Sequence, residues 1–312
     1  MPPLFRYSPQ TKGWNTTSIV ITNGKGGVGK TSLVANLAGL ASSKGIRTLA
    51  VDLDPQANLA GDFGVRSRGR QDNGKALLEA ARDLEPLEVV SNVRPGVDLI
   101  PAGFLTRDLS DWIVANRLDD PTVILSVREA IATVHHRYDL ILIDTPPAPA
   151  PMAEAGIHAA EWVLAPIRAD FASIDGLDQV RYSLERMAEL GIPTPRMLGV
   201  ALFDVHTQST AVIDEIRSAV EDQAPWAGRV FDTVIRRSER SALDMRRFGL
   251  LASEYQERSA AMLGSETGRR RIVERGLGEA VVKFSRAAQA LANDYDQLGE
   301  QALNRMASLV PA

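Results

Sequence analysis

The sequence has no cysteine. That excludes a disulfide framework, a zinc ribbon and any iron–sulfur cluster held by thiolates. Histidine is scarce too: four in 312 residues, without the close His or carboxylate spacing that builds a metal cage from side chains. His135 and His136 are adjacent but sit just before a strand, and read as a solvated helix end. No run approaches the length of a membrane span, and Met1–Ser18 lacks the apolar core of a signal peptide. The expectation is a cytoplasmic protein with no membrane association and a flexible tail over residues 1–17.

What is present fits a soluble globular chain, with 45% hydrophobic and 24% charged residues. The formal charge of −4 does not announce nucleic acid, but its distribution is uneven. Arg229 to Arg275 holds eleven arginines and seven acids, net +4, which leaves the rest at −8.

Apolar runs alternate with helical patterns, which predicts an α/β fold: a mostly parallel twisted sheet with helices on both faces. Strands are expected at Ser18–Thr22, Arg47–Asp52, Asp139–Asp144, Glu161–Pro166 and Arg196–Phe203. Helices are expected at Thr31–Ser43, Thr122–Val134, Ile174–Leu190 and Thr210–Glu221. Gly64–Gly74 reads as a polar, mobile loop, and Pro146–Pro151 is too short to link domains. One domain is expected over 18–312, closed by a long C-terminal helix over about 272–309. There Val281, Phe284, Ala288, Leu291, Tyr295, Leu298 and Ala302 form one apolar stripe. It is expected to lie on the body of the domain, with a dimer seam as the alternative.

Gly24-Lys25-Gly26-Gly27-Val28-Gly29-Lys30-Thr31-Ser32 fits the phosphate-loop pattern G-x-x-x-x-G-K-[ST], directly after a strand and before a helix. Glycines let the backbone wrap around phosphate oxygens, and the helix N-terminus adds positive potential. Lys30 faces the β- and γ-phosphates, and the Thr31 hydroxyl ligates Mg²⁺. Lys25 is extra to the general motif. While Lys30 occupies its own γ-phosphate site, Lys25 is better placed to reach across a subunit boundary. Asp54, just after the second strand, can orient a water beside the γ-phosphate. Asp144 ends a buried apolar strand as a Walker B aspartate does, holding Mg²⁺ directly or through water.

KGGVGKTS, DLDPQAN, LILIDTPP and PIRADFASIDGL, in that order and spacing, resemble the ParA/MinD group of deviant Walker P-loop NTPases, and most of all the ParA-type DNA-partition ATPases. The resemblance covers about Ser18 to Ala292. It implies ATP and Mg²⁺ as cofactors, a homodimer sandwiched around ATP, and slow hydrolysis. Lys25 matches the signature lysine acting in trans, Lys30 the phosphate lysine, Thr31 the Mg²⁺ ligand, Asp54 the switch I residue needed for hydrolysis and Asp144 the switch II aspartate.

Members of the group that carry iron–sulfur clusters need cysteine, which is lacking here. MinD-like members bind membrane through a basic C-terminal tip, whereas Glu279–Ala312 is net −1. The segment IRRSERSALDMRRFG is similar to the ParA stretch I-P-R-x-x-R-x-x-E-A. Arg237 and Arg240 match its arginines, but Arg236 replaces the proline and the E-A pair is missing. Arg269, Arg270 and Arg271 add a second basic group. The resemblance implies a nucleoid-associated ATPase that segregates a plasmid, phage or chromosome. It would bind double-stranded DNA non-specifically, with a ParB-like centromere-binding protein stimulating hydrolysis. Only 17 residues precede the first strand, so operator-specific repression through a helix-turn-helix domain is not expected. The alternative is a MinD-like positioning switch on a membrane or protein scaffold.

Overall fold

The central strands are apolar on both faces. Along residues 140–143, Leu140 and Leu142 pack into one hydrophobic layer while Ile141 and Ile143 pack into another. Ile19 and Ile21 likewise oppose Val20. This two-sided burial is what a parallel sheet between two helical layers requires.

The computed structural model describes residues 16–66, 69, 71–206, 208–264 and 278–309. Eight strands form one sheet: β1 (Thr17–Ile21), β2 (Thr48–Asp52), β3 (Val90–Arg94), β4 (Val97–Ile100), β5 (Leu140–Asp144), β6 (Trp162–Arg168), β7 (Arg196–Val205) and β8 (Val230–Arg236). Their order is β3-β4-β2-β5-β1-β6-β7-β8. Every neighbouring pair is parallel except β3 with β4, which closes one edge as an antiparallel hairpin.

One layer holds α1 (Lys30–Ser43), α2 (Asn58–Asp62), α9 (Glu239–Phe248), α10 (Ala252–Gly264) and α11 (Gly278–Leu309). The other holds α3 (Lys75–Asp83), α4 (Phe104–Asn116), α5 (Ser126–Ala132), α6 (Pro151–His158), α7 (Phe171–Glu189) and α8 (Thr210–Gln223). The helix expected over 122–134 begins as a 3-10 turn, Pro121–Leu125, and becomes α-helical only as α5. Pro121 lacks an N–H, and Asp120 accepts a bond from Thr122 N (2.9 Å), which together favour the tighter start.

The C-terminal stripe lies on the body of the domain. Ala288, Leu291, Tyr295, Leu298 and Ala302 are all buried in the layer built on α1. Gly299 permits the approach, because a Cβ there would sit 2.3 Å from Leu40 Cδ2. The helix starts at Gly278; residues 272–277, the side chains of Val281 and Phe284, and the tail 1–15 lie outside the described residues. So do residues 67, 68 and 70 of the loop expected at 64–74.

A candidate nucleotide site

The parallel order brings the C-terminal ends of β1, β2, β5, β6, β7 and β8 to one edge, where α/β sheets bind ligands. β1 lies between β5 and β6, and the loop after it runs straight into α1. Gly27 and Gly29 have φ of +72° and +88°, a region where a side chain is strained. A Cβ on Gly29 would also collide with the Phe203 ring at 2.4 Å.

The loop's first turn is braced by the β6–α7 connection. Asn23 donates to Pro166 O (2.9 Å), its Oδ1 accepts from Lys25 N (2.7 Å), and Gly24 N donates to Gly176 O (3.0 Å). Lys30 is buried, and its Nζ donates to Lys25 O (3.0 Å) and Asn23 O (3.3 Å). Burial pulls its pKa below the usual lysine value, against the opposing pull of Asp144 and Asp54.

Two acids end neighbouring strands in register: Asp52 on β2 faces Asp144 on β5, and both are fully buried. Asp52 accepts N–H bonds from Asp54 (3.0 Å) and Leu59 (3.3 Å), which shape the turn into α2. Asp54, at the mouth of that turn, accepts from Gln56 N (3.0 Å) and lines the same cavity as Lys30 and Thr31. Neither oxygen of Asp144 has a hydrogen-bond partner of normal geometry. Burial pushes its pKa up to about 7, only partly offset by the Thr31 hydroxyl and Lys30. A buried carboxylate so poorly compensated, beside a hydroxyl and a phosphate loop, suits a divalent cation.

Lys25 points back into its own chain. Its Nζ lies 2.8 Å from Asp170 Oδ1, and the same oxygen accepts Ser173 N (2.7 Å) as the N-cap of α7. Asp170 is partly exposed; burial raises its pKa, but the bonds from Lys25 and Ser173 outweigh this and leave it low.

The cavity over the loop, about 680 Å³, reaches from Lys30 and Thr31 past Asp54 and Phe203 to α9. That is ample for a nucleotide. Arg237 lines it and pairs with Glu239. Arg240 is largely exposed and pairs with the buried Asp244 at 2.9 Å, one turn along α9. Arg269, Arg270 and Arg271 lie outside the described residues. Arg236, where the resemblance calls for proline, forms a two-pronged pair with Asp294 of α11 (2.6 and 2.7 Å). This bond ties the end of β8 to the C-terminal helix.

Asn23, Asp62 and Asp204 were not singled out by sequence; Arg168 and Asp170 lie in the quoted stretch PIRADFASIDGL and Tyr295 in the C-terminal stripe, but none of these three was given a role at the site. Asn23 stands immediately before the phosphate loop, a signal that position alone could have raised. Asp62 and Arg246 meet across 184 residues at 3.4 Å, a contact no local pattern encodes.

The family described as an AAA domain matches residues 16–191. The chain is 35% identical to the chromosome-partitioning ATPase Soj of Thermus thermophilus over 72% of its length and 82% of that protein's. It is 30% identical to the chromosome partitioning protein ParA of Myxococcus xanthus, over 75% and 81% of the two chains. Among solved structures, the Cyanothece McdA(D38A)–ATP complex aligns with TM-score 0.67 at 22% identity, covering 94% of this chain and 98% of that one.

Proposed function

The chain belongs to the ParA-type partition ATPases, P-loop proteins of nucleotide hydrolysis, and we propose from this premise that it segregates DNA by an ATP-gated dimer cycle. In this reading ATP and Mg²⁺ bind over Gly24–Ser32, with Thr31 and Asp144 on the metal side. Mg²⁺ supplies charge neutralisation at the β- and γ-phosphates. Lys30 holds the phosphates, Asp54 orients the attacking water, and Lys25 leaves Asp170 to reach the partner's nucleotide. The ATP-bound homodimer binds duplex DNA through Arg237 and Arg240, with Arg269–Arg271 as a second contact, and so associates with the nucleoid. A ParB-like partner speeds a slow hydrolysis that releases it.

The observation that supports the reading is the shared cavity, which Lys30 and Thr31 of the phosphate loop line together with Arg237, one of the two proposed DNA contacts. In this reading a bound nucleotide and a basic side chain share one space. Lys30→Ala tests the foundation. Loss of ATP binding is expected, measured by titration with a fluorescent ATP analogue; wild-type affinity in that variant would refute the site.

A further inference from the structure

Arg168 has no part in that reading. It is the last residue of β6, the strand beside β1. Its Nη2 lies 3.2 Å from Asp204 Oδ2, and 3.9 Å from the point a Cβ on Gly27 would occupy. The side chain is 43% exposed, yet its Nε is buried and makes no hydrogen bond. Arg168, Asp204, Gly27 and Lys30 line the same cavity. Asp204 itself sits at φ +60°, a costly conformation for a residue other than glycine.

A pair that merely ties β6 to β7 does not account for this arrangement. The two strands are already in parallel register along β6, including Arg168 opposite Phe203. An ion pair between partly exposed groups adds little to stability. A partly exposed guanidinium, held by one carboxylate and with its Nη2 beside Gly27 of the phosphate loop, is suited to an anion.

We propose that Arg168 is a further nucleotide-binding cation: it contacts a phosphate oxygen of the nucleotide bound in the same chain. Asp204 holds it ready and competes with the phosphate for it. The proposal rests on the cavity taking a nucleotide. It places a cation on the β6 side of the loop, whereas Lys30 approaches from α1 and Lys25 is turned toward Asp170.

The two partners should respond with opposite sign. Titration with fluorescent ADP and ATP analogues in Mg²⁺, with melting temperatures in parallel, reads this out. Arg168→Ala is expected to weaken binding about tenfold, the scale of one partly solvated charge-assisted bond, and Arg168→Lys to recover part of it. Asp204→Asn, which removes the competing charge, is expected to tighten binding severalfold. Should Arg168→Ala not fold, Arg168→Lys carries the test through its loss of the forked donors. Unchanged affinity in the Arg168 variants would overturn the proposal. Weakened binding in Asp204→Asn as well would assign the effect to the pair as a brace and would also overturn it. Wild type that binds no nucleotide would sink the ATPase reading itself, and this inference with it.

Discussion

Lys25 Nζ lies 2.8 Å from Asp170 Oδ1 of the same chain, and that oxygen also caps α7. A lysine proposed to act in trans is therefore engaged in cis. Leaving Asp170 costs little, because both side chains are partly exposed. Lys25→Ala is expected to keep most ATP binding while losing ATP-dependent dimerisation or turnover. Asp170→Asn keeps an oxygen for the cap but weakens the hold on the lysine, so it should dimerise at lower ATP. Light scattering against ATP concentration checks both; an unchanged dimer and normal turnover in Lys25→Ala would refute the trans role.

Asp54, in the turn after β2, and Asp144, the last residue of β5, stand near the same loop, and their different burial is the basis for the different tasks proposed for them. Asp54 lines the cavity, where a water could meet it; Asp144 is fully buried, with no hydrogen-bond partner of normal geometry on either oxygen. Asp54→Ala is expected to give ATP-bound dimers that hydrolyse poorly. Asp144→Ala should instead raise the Mg²⁺ concentration needed for half-maximal turnover. An Mg²⁺ titration of turnover, with dimerisation followed alongside, separates them; the same defect in both variants would contradict the division.

Away from the site, Glu154 on α6 is held by Arg117 and His158. Burial raises its pKa, but the contact with His158 and the hydrogen bonds from Arg117 outweigh it and leave it at about 2, below its ordinary 4.5. A depressed carboxylate stabilises the fold above its unfolded pKa, and that contribution fades as pH falls from about 4.5 toward 2. It is worth roughly 3 kcal/mol at neutral pH on the scale of such shifts. Glu154→Gln should thus lower urea stability at pH 7, and its deficit should shrink as the pH approaches 2. A deficit that stays constant across that range would place the effect in packing rather than charge.

The strand-to-loop chemistry was legible because it is local. GKGGVGKTS follows a β-branched run, and Asp52 and Asp144 each close an apolar strand; β1, β2, β5, β6 and β7 were all found within two residues of their bounds. β3 and β4 were missed. Their alternation is broken by exposed Ser91 and Asn92 and by a register shift, as suits an edge hairpin. β8 was missed because its run VFDTVIR merges into the arginines that drew attention. The contacts that close the site, Asp62 with Arg246 and Arg236 with Asp294, join residues far apart in sequence, and only the packing of α9 and α11 creates them.

Arg237 and Arg240 are both paired with acids of their own segment, Glu239 and Asp244. Such pairs would have to open for phosphate binding, which favours a weak contact in the single chain and a useful one only when a dimer doubles it. Each neutralised phosphate releases counterions, so affinity should fall steeply with salt and vary little with sequence. The ATP-bound protein, and not the ADP-bound one, is expected to bind arbitrary duplex DNA. Changing Arg237 and Arg240 together to Glu should abolish that binding while ATP-dependent dimerisation persists. A DNA titration at two salt concentrations on wild type and the double variant, with dimerisation measured in parallel, decides it. Wild type with ATP that ignores DNA at low salt would remove the mechanism of partition and leave a scaffold-bound switch in its place.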